Sequence, residues 1–482
     1  MIALILFIPF FAALVIALLP NSLEHHSKFF ALVVSLVNFI ISVIIFFISD
    51  LAAGQYIGIN EVIWAQNLFP FQIKFSVGAD ALALALIILT NLLTIAAVTI
   101  SFQIKERLYF VWLMILQGSI IGVFASINLI QFFIFWELEL IPMFMLINFW
   151  GTGNREYSAM KFVLYTLVAS AFILIGIILL GYSANSFDII AINNSGFLAE
   201  NWIVIFAFWT LLIGFLIKLP IFPFHTWLPD AHTDAPTAVS VMLAGILLKM
   251  GGYGIIKLIL PTMGYLLNDY GAILGFLGAF SIIYGAILTL KQTDLKRVIA
   301  FSSISHMGFV LVGIASNSPL GVLGAGLQLI THGLISGLLF LCVGLVYERT
   351  KTREINEMKG LTHQFPFITL IMMIAGLASL GLPGLVGFIA EITIFLGSYE
   401  TRPITTVFAI TGVLFSAGYI LWTMQRIFFG PRNKELDAKD ISDWPQLLSV
   451  GTLLIPTIIF GIYPQPLITI MEQGLNFLIR IG

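Results

Sequence analysis

Long apolar runs, each about the length of a membrane-crossing helix, follow one another along this chain and are separated by short polar segments. A helix needs about 20 apolar residues to cross the hydrocarbon layer of a bilayer. Fourteen runs meet this requirement, which predicts an all-α membrane protein with about 14 transmembrane helices. The runs lie near 2–20, 28–48, 80–100, 108–126, 127–149, 158–182, 202–228, 237–260, 270–291, 297–316, 320–347, 366–398, 404–428 and 446–463.

Two of the predicted helices contain helix-breaking residues in their interiors. In predicted helix 7, residues 218–223 read KLPIFP, and in predicted helix 12, residues 381–384 read GLPG. Proline inside a helix removes a backbone hydrogen bond and clashes with the preceding turn. Both helices are therefore expected to be interrupted, helix 7 directly beside Lys218. In a membrane, such breaks are tolerated only where protein or water satisfies the freed backbone groups.

The two breaks recur at a fixed spacing, which indicates an internal repeat. Pro220 and Pro383 are 163 residues apart, and predicted helices 4 and 9 begin 162 residues apart. An offset of five helices is odd, so helices 4–8 and 9–13 would form two inverted five-helix repeats, an arrangement typical of transport proteins. Coincidental proline kinks are the alternative, and they predict no ionisable groups beside the breaks. The expected regions are 1–107 (N-terminal helices), 108–260 (first repeat), 270–430 (second repeat) and 431–482 (C-terminal helix region).

Composition and charge agree with a membrane location. Sixty per cent of the residues are hydrophobic and 10% are charged, whereas soluble domains carry about 25% charged residues. With fourteen crossings, sixteen of the 22 Lys and Arg residues, Lys296 among them, fall in loops on the side opposite the termini, and four, including Lys257, fall in loops on the terminal side. Positive loops stay in the cytoplasm. We therefore expect a multi-pass protein of a bacterial plasma membrane, with both termini on the outer side.

Several ionisable residues fall inside predicted helices. An ionised side chain at mid-membrane costs several kcal/mol unless it is paired or hydrated, so each one is a candidate functional residue. Lys249 lies about twelve residues into predicted helix 8, too deep to snorkel easily to an interface. The histidines could relay protons or be ordinary core residues. The candidates for proton transfer are Glu137, Lys218, Lys249, His306, His332 and Glu391.

Other polar residues have a less certain role. Glu139 follows Glu137 by two positions, so it is expected to point to a different helix face. His225, Asp230, His232 and Asp234 could form a proton inlet at the cytoplasmic end of helix 7 or simply cap helices; the sequence does not decide between the two. The histidines are too dispersed for a metal-ligand motif, the single cysteine, Cys342, cannot build a disulfide or a cluster, and there is no P-loop.

Two long segments resemble a known family. PDAHTDAPTAVSVMLAGILLKMGGYG at 229–254 and DLKRVIAFSSISHMG at 294–308 are similar to signatures of the antiporter-like subunits of NADH–quinone oxidoreductase, which are related to Mrp sodium/proton antiporter subunits. The resemblance covers nearly the whole chain. Lys249, His306 and Glu391 resemble the M type, the counterpart of mitochondrial chain 4, rather than the L and N types.

The resemblance implies the roles of individual residues and the partners of the chain. Glu137 and Lys218 would form a coupled pair, Lys249 and His306 would continue a hydrated axis that His332 joins, and Glu391 would lie toward the outer exit. Glu139 departs from the family pattern. The chain itself would hold no cofactor. Flavin and iron–sulfur clusters would belong to partner subunits, and the partners would be L- and N-type subunits, small membrane subunits, lipid and protons, with no nucleic acid.

The implied activity is proton translocation driven by quinone reduction elsewhere in the complex. One alternative is a subunit of an Mrp-type sodium/proton antiporter, and another is a hydrogenase-linked homologue. A purely structural membrane spacer is a further alternative, and it predicts that neutralising Lys218 and Glu137 together leaves pumping intact.

Overall fold

The computed structural model describes residues 1–49, 55–65, 72–196, 201–432 and 439–475. Parts of the predicted C-terminal region, 433–438 and 476–482, lie outside these residues. Within them the protein is mostly helical, and eleven helical segments are long and apolar enough to cross a membrane. Three shorter apolar helices, Ile2–Leu18, Trp202–Lys218 and Pro366–Ser379, coincide with further predicted runs. The chain is therefore a multi-span membrane protein.

The N-terminal part contains four helices and a β-hairpin that the sequence did not predict. The strands pair antiparallel, with Ile57 opposite Ala79. Asp80 follows the second strand directly and caps the next helix by accepting a hydrogen bond from the Ala83 amide. The elements are α1 (Ile2–Leu18), α2 (Ser27–Ile48), β1 (Ile57–Ala65), β2 (Ile73–Ala79), α3 (Ala81–Ile100) and α4 (Arg107–Ala125).

The middle of the chain contains two interrupted spans. Predicted helix 5 divides at Glu139 into two short helices, which was not expected. Predicted helix 7 ends at Lys218 and resumes at Trp227, which confirms the break indicated by the prolines. The elements are α5 (Leu129–Leu138), α6 (Leu140–Trp150), α7 (Arg155–Ala184), α8 (Ile189–Asn193), α9 (Trp202–Lys218) and α10 (Trp227–Asp234).

Predicted helix 8 is a continuous span from Thr237 to Met263, but two π-helical segments widen it. Such segments are rare and occur frequently at functional sites. Nearly all residues of the span are buried. Its parts are α11 (Thr237–Met242), the π-segment Leu243–Leu247, α12 (Leu248–Gly254), the π-segment Ile255–Ile259 and α13 (Leu260–Met263).

The C-terminal half repeats the pattern of long helices with one interruption. The break between Ser379 and Val386 confirms the second breaker cluster. The last helix of the described residues, Gln465–Leu475, was not predicted. It packs back on α3 and on the helix Pro319–Thr350. The elements are α14 (Leu266–Leu290), α15 (Leu295–Ala315), α16 (Pro319–Thr350), α17 (Pro366–Ser379), α18 (Val386–Thr401), α19 (Pro403–Phe428), α20 (Trp444–Ile462) and α21 (Gln465–Leu475).

The most deeply buried helices lie at the centre of the protein. The span 237–263 and helices α15 and α16 are surrounded by other helices, whereas α2, α7, α19 and α20 expose a large share of their apolar side chains on the outside. Helix α7 packs on α9, and α16 packs on α18. Each interrupted span therefore contacts an uninterrupted helix, and the buried polar residues collect where these elements meet.

Candidate functional site

Lys218, the last residue of α9, is fully buried and forms an ion pair with Glu139, which is also fully buried. The Lys218 ammonium also lies 5.5 Å from the centre of the Trp136 ring and 5.4 Å from that of Phe162. Aromatic faces attract a cation. The lysine therefore ends a helix inside the protein, facing one carboxylate and two rings.

The interruption between α5 and α6 brings Glu139 to this position. Helix α5 ends at Leu138 and α6 starts at Leu140. Pro142 lies in the first turn of α6, where its missing N–H is tolerated, whereas in one continuous helix it would remove an interior hydrogen bond. The position of Pro142 is the one sequence signal that could have revealed this break.

Glu137 does not contact Lys218, so the expected pairing of these two residues is wrong in this structure; Glu139 takes the place of the carboxylate partner. Glu137 is only partly buried, and its Oε1 atom has no hydrogen-bond partner among the residues that the structure describes. It lines an apolar groove of about 610 Å³ between α5, α6 and α7. Ile134 and Ile141 of this groove are largely exposed, so the groove faces outward.

Lys249 is fully buried at the start of α12, directly after the first π-segment. Its ammonium donates a hydrogen bond to the carbonyl of Ala244, which lies in the π-segment. It also hydrogen-bonds Nδ1 of His332 on α16, at 2.8 Å. The irregular backbone of this span thus supplies one of the two partners of the lysine.

Two histidines continue from Lys249 toward the second interrupted helix. The rings of His332 and His306 lie 5.4 Å apart between their centres. His306 places Nδ1 3.6 Å from Oε1 of Glu391 and Nε2 3.1 Å from the hydroxyl of Ser379. Ser379 is the last residue of α17, so the histidine contacts elements on both sides of the break.

Glu391 lies on α18 and packs against the break itself. Gly381 has a φ of +75°, and a Cβ atom there would lie 2.5 Å from Oε2 of Glu391. Glycine therefore serves two purposes at this position, since it permits the left-handed backbone and makes room for the carboxylate. A cavity of about 10 Å³ lies between Glu391, His306 and His332, which is about the space that one water molecule needs.

The two halves of this site meet through backbone packing. A Cβ atom on Gly251 of α12 would lie 2.6 Å from the carbonyl oxygen of Phe215 and 2.8 Å from the amide nitrogen of Leu219. The broken end of α9 is therefore pressed against the helix that carries Lys249, two residues away. Of the six predicted residues, Lys249, His332, His306 and Glu391 form one contiguous chain, Lys218 lies on the adjoining helix, and Glu137 stands apart.

Polar residues follow the break in α9, on the side where α10 begins. Asp230 forms ion pairs with Lys161, at 2.7 Å, and with Arg297, at 3.1 Å, and so joins α7 to α15. His225 is buried beside the Phe222 ring. No side chain caps α10, so the helix-capping explanation does not apply there.

His232 and Asp234 extend this polar group inward. His232 is fully buried and stacks on Phe340 with ring centres 4.6 Å apart, and neither of its ring nitrogens has a hydrogen-bond partner among the described residues. Asp234 accepts a hydrogen bond from the Ser158 hydroxyl. Lys296, which was expected in a loop, is buried nearby and donates to the Ala235 carbonyl.

Comparison with known proteins identifies the family. Residues 126–416 match the model of the NADH:quinone oxidoreductase/Mrp antiporter transmembrane family. The chain belongs to this family. The match confirms the resemblance recognised in the sequence and covers the whole chain of contacts from Glu139 to Glu391.

The similarity to individual members of the family extends over nearly the whole chain. The chain is 38% identical over 473 residues to NAD(P)H-quinone oxidoreductase chain 4 1 of Synechococcus elongatus, covering 96% of this chain and 88% of the relative. It is 36% identical over 492 residues to NADH-quinone oxidoreductase subunit M of Rickettsia conorii, covering 98% of each. Its fold superimposes on a chain of respiratory complex I from Thermus thermophilus with a TM-score of 0.91 and 24% identity, covering 100% of both chains.

This family member has a second buried ion pair that sequence reasoning missed. Lys257 contacts the carboxylate of Asp80, and both side chains are almost completely buried. From the sequence, Lys257 appeared to be a loop residue on the side of the termini. In the sequence, Asp80 is an acidic residue at the start of an apolar run, a position that is typical of a helix cap. This pattern alone does not indicate an ion pair with Lys257.

Proposed function

We propose that this chain is a proton-translocating subunit in the membrane arm of an NADH:quinone oxidoreductase. The observation that carries the proposal is the series of buried ionisable groups that starts at the Glu139–Lys218 pair and continues through Lys249, His332 and His306 to Glu391. Ionisable groups inside a membrane are costly and commonly mark proton or ion paths. The names of the relatives from Synechococcus elongatus and Rickettsia conorii support the assignment.

The architecture that we propose has fourteen membrane crossings and two inverted repeats of five. In favour of the repeats, each half contains one interrupted span, α9–α10 and α17–α18, and each packs on a long neighbouring helix. Lys218 lies at the first break and Glu391 beside the second. The termini and the β-hairpin would then lie on the outer side of a bacterial plasma membrane, and the loops rich in Lys and Arg in the cytoplasm.

The Glu139–Lys218 pair would act as the switch. While the carboxylate contacts the lysine, its charge holds the ammonium form. When the carboxylate moves away, the buried ammonium loses its only anionic partner among the described residues and gives up a proton toward Lys249. Because Lys218 ends a helix beside a break, a small change at the break would be enough to alter this contact. Quinone reduction elsewhere in the complex would supply the driving force.

The following residues would carry the proton toward the outer side. Lys249 and His332 are already hydrogen-bonded, and a neutral imidazole can accept a proton on one ring nitrogen and release one from the other. His306 contacts Glu391, and the small cavity between them could complete the connection. Glu391 would deliver the proton on the outer side. Glu137, in its outward groove, would contact this path only through a neighbouring subunit.

The redox chemistry would belong to other subunits. Among the described residues there is no group of three or more His, Cys, Asp or Glu side chains arranged to hold a metal ion. L- and N-type antiporter-like subunits and small membrane subunits would be the neighbours of this chain. In this proposal the chain supplies the path for protons, and flavin and iron–sulfur clusters lie elsewhere in the complex.

The test is Lys218→Met in the assembled complex, measured in inverted membrane vesicles. NADH-dependent quinone reduction and proton uptake are recorded in the same preparation. Lys74→Met is the matched control, because Lys74 forms only an exposed pair with Glu61 on the hairpin. We expect Lys218→Met to lower proton uptake while the control behaves as wild type. Wild-type uptake in a fully assembled Lys218→Met complex would refute the role of this lysine.

An Mrp-type sodium/proton antiporter subunit is the second candidate, because the family model includes both kinds of protein. Native purification distinguishes them. Flavin, iron–sulfur centres and hydrophilic subunits would accompany the chain in a quinone oxidoreductase, whereas an antiporter would lack them. Nickel-containing partners would instead indicate a hydrogenase-linked complex.

A further inference from the structure

The buried pair of Lys257 and Asp80 lies between the β-hairpin and the span that carries Lys249. The two side chains are 7% and 4% exposed, and they come from positions 177 residues apart in the chain. Replacing a buried ion pair by apolar residues of similar volume is often neutral or stabilising. Stability alone is therefore a weak explanation for this pair, and a functional one deserves a test.

Lys257 lies on the same helical span as Lys249, and Tyr253 lies halfway between them. The three residues are spaced by four, a spacing that places side chains on one face of an α-helix, and Lys257 itself lies in π-helical backbone. Eight residues correspond to about 12 Å along a helix at about 1.5 Å per residue. Tyr253 is buried, and its hydroxyl donates a hydrogen bond to the Phe124 carbonyl at 3.2 Å. Along the span, a buried tyrosine hydroxyl thus lies between the positions of the two lysines.

Both lysines are associated with π-helical backbone. The segment Leu243–Leu247 ends two residues before Lys249, and the segment Ile255–Ile259 contains Lys257. In the first case the irregular backbone presents a carbonyl, that of Ala244, to the lysine. Each of the two lysines, which are eight residues apart, thus lies in or just after π-helical backbone, and this shared feature suggests that they have related tasks.

On its other side the pair approaches the hairpin surface. Asp80 is the residue between β2 and α3 and is held in place by the hydrogen bond from the Ala83 amide. The Tyr56 ring lies 4.3 Å from the Lys257 ammonium. Burial raises the pKa of Tyr56, so its phenol stays neutral. Beyond Tyr56 the side chains of β1 are mostly exposed, and Val62 is one example. Tyr56 therefore separates the pair from the surface at the hairpin.

We propose that Lys257 and Asp80 form a second proton-transferring pair, which connects Lys249 through Tyr253 to the hairpin side of the protein. In this scheme the Lys257 ammonium first gives a proton to the Asp80 carboxylate, which leaves both groups neutral. Asp80 then releases that proton at the hairpin side and regains its charge. The Tyr253 hydroxyl passes its own proton to the neutral Lys257 and takes one from the Lys249 ammonium. One proton has then crossed from Lys249 to the hairpin side, and every group except Lys249 has its original charge.

This inference rests on the proposed function, because it concerns a branch of the same proton path. This branch differs from the path through Glu391 in its route. From Lys249 it follows the span 237–263, whereas the other path passes through the histidines of α15 and α16. The two routes share Lys249 and no residue after it. Variants of the pair therefore test the branch separately from the Glu139–Lys218 switch.

The decisive variant is Lys257→Arg in the assembled complex. Arginine keeps the positive charge and can pair with Asp80, but it cannot be deprotonated in proteins. We expect proton uptake per quinone reduced to fall below the wild-type ratio, since a relay member that holds its proton blocks transfer along this branch, while the route through Glu391 stays open. The matched control is Lys74→Arg, the same substitution in the exposed ion pair of the hairpin. Wild-type proton uptake with Lys257→Arg would overturn the proposal.

A double variant separates proton transfer from a structural clamp. Lys257→Met combined with Asp80→Asn removes both charges and so avoids an unpaired buried ion. We expect this complex to assemble, to reduce quinone and to pump poorly. Normal pumping by the double variant, or failure of both variants to assemble, would show that the pair only holds α3 to the span 237–263 and would refute the relay. If Lys218→Met lowers pumping while Lys257→Arg does not, the branch fails and the proposed function stands.

Discussion

Replacing Glu139 by glutamine removes the negative charge that faces Lys218 while leaving the size of the side chain almost unchanged. Both partners are fully buried, and removing one partner of a buried ion pair costs about 3–5 kcal/mol, because the other charge is left unpaired. Glu137→Gln is the matched control, with the same chemical change two residues away. Glu137 is partly exposed and has no ion-pair partner among the described residues, so its replacement should cost less than about 1 kcal/mol.

The double variant Glu139→Gln/Lys218→Met provides an internal check of this reasoning. With both charges removed, no unpaired ion stays in the protein, and most of the lost stability should return. The resulting coupling energy between the two sites should reach about 2 kcal/mol, within the range found for residues in one ion-pair network. The corresponding pair, Glu137→Gln/Lys218→Met, should show effects that add.

The assay combines thermal inactivation of the detergent-solubilised complex with proton uptake in inverted vesicles. We expect the inactivation temperature to fall clearly for Glu139→Gln, to recover in the double variant and to stay near wild type for Glu137→Gln. Proton uptake should fall for both variants that disturb the pair. If Glu137→Gln couples energetically to Lys218 and Glu139→Gln does not, the assignment of Glu139 as the partner is wrong.

Two further substitutions probe the second half of the protein. Gly381→Ala should lower stability by about 1–2 kcal/mol, because φ is +75° and only glycine adopts this conformation readily. It should also lower proton uptake, because the new Cβ atom displaces the Glu391 carboxylate. Wild-type uptake in this variant would contradict the packing of Glu391 against Gly381. Arg402→Gln should lower the inactivation temperature, because the guanidinium donates to the carbonyls of Ala315 and Leu267 at 2.8 and 2.6 Å and charged hydrogen bonds contribute about 1.5–3 kcal/mol each. An unchanged inactivation temperature would show that these contacts do not hold the ends of α14 and α15 together.

Much of the fold follows from local features of the sequence. The apolar runs predicted where helices occur, and the prolines and glycines predicted both breaks, at Lys218 and at 380–385. The β-hairpin was missed because its strands are short and lie between two strong helical signals. The division at Glu139 was missed because the apolar run continues through it, although Pro142 places a helix start there.

The candidate site was predictable in its residue types and less so in its contacts. Lys249, His306, His332 and Glu391 stood out because each is an ionisable residue deep in an apolar run. Their order in space, and the hydrogen bond from Lys249 to His332, depend on how α12, α15, α16 and α18 pack. Lys257 and Asp80 were missed because each lies near the end of a run, where a charged residue usually reaches water.

The sequence by itself determined that this is a multi-span membrane protein, where two of its helices break and which ionisable residues lie deep inside its apolar runs. These features depend on short stretches of chain, since hydrophobic length and proline act locally. Only the tertiary structure decided that Glu139 rather than Glu137 faces Lys218, and that Lys257 meets Asp80. An ion pair between residues 79 or 177 positions apart depends on the rotation and depth of two packed helices. The break between α5 and α6 at Glu139 is what brings this carboxylate to the core.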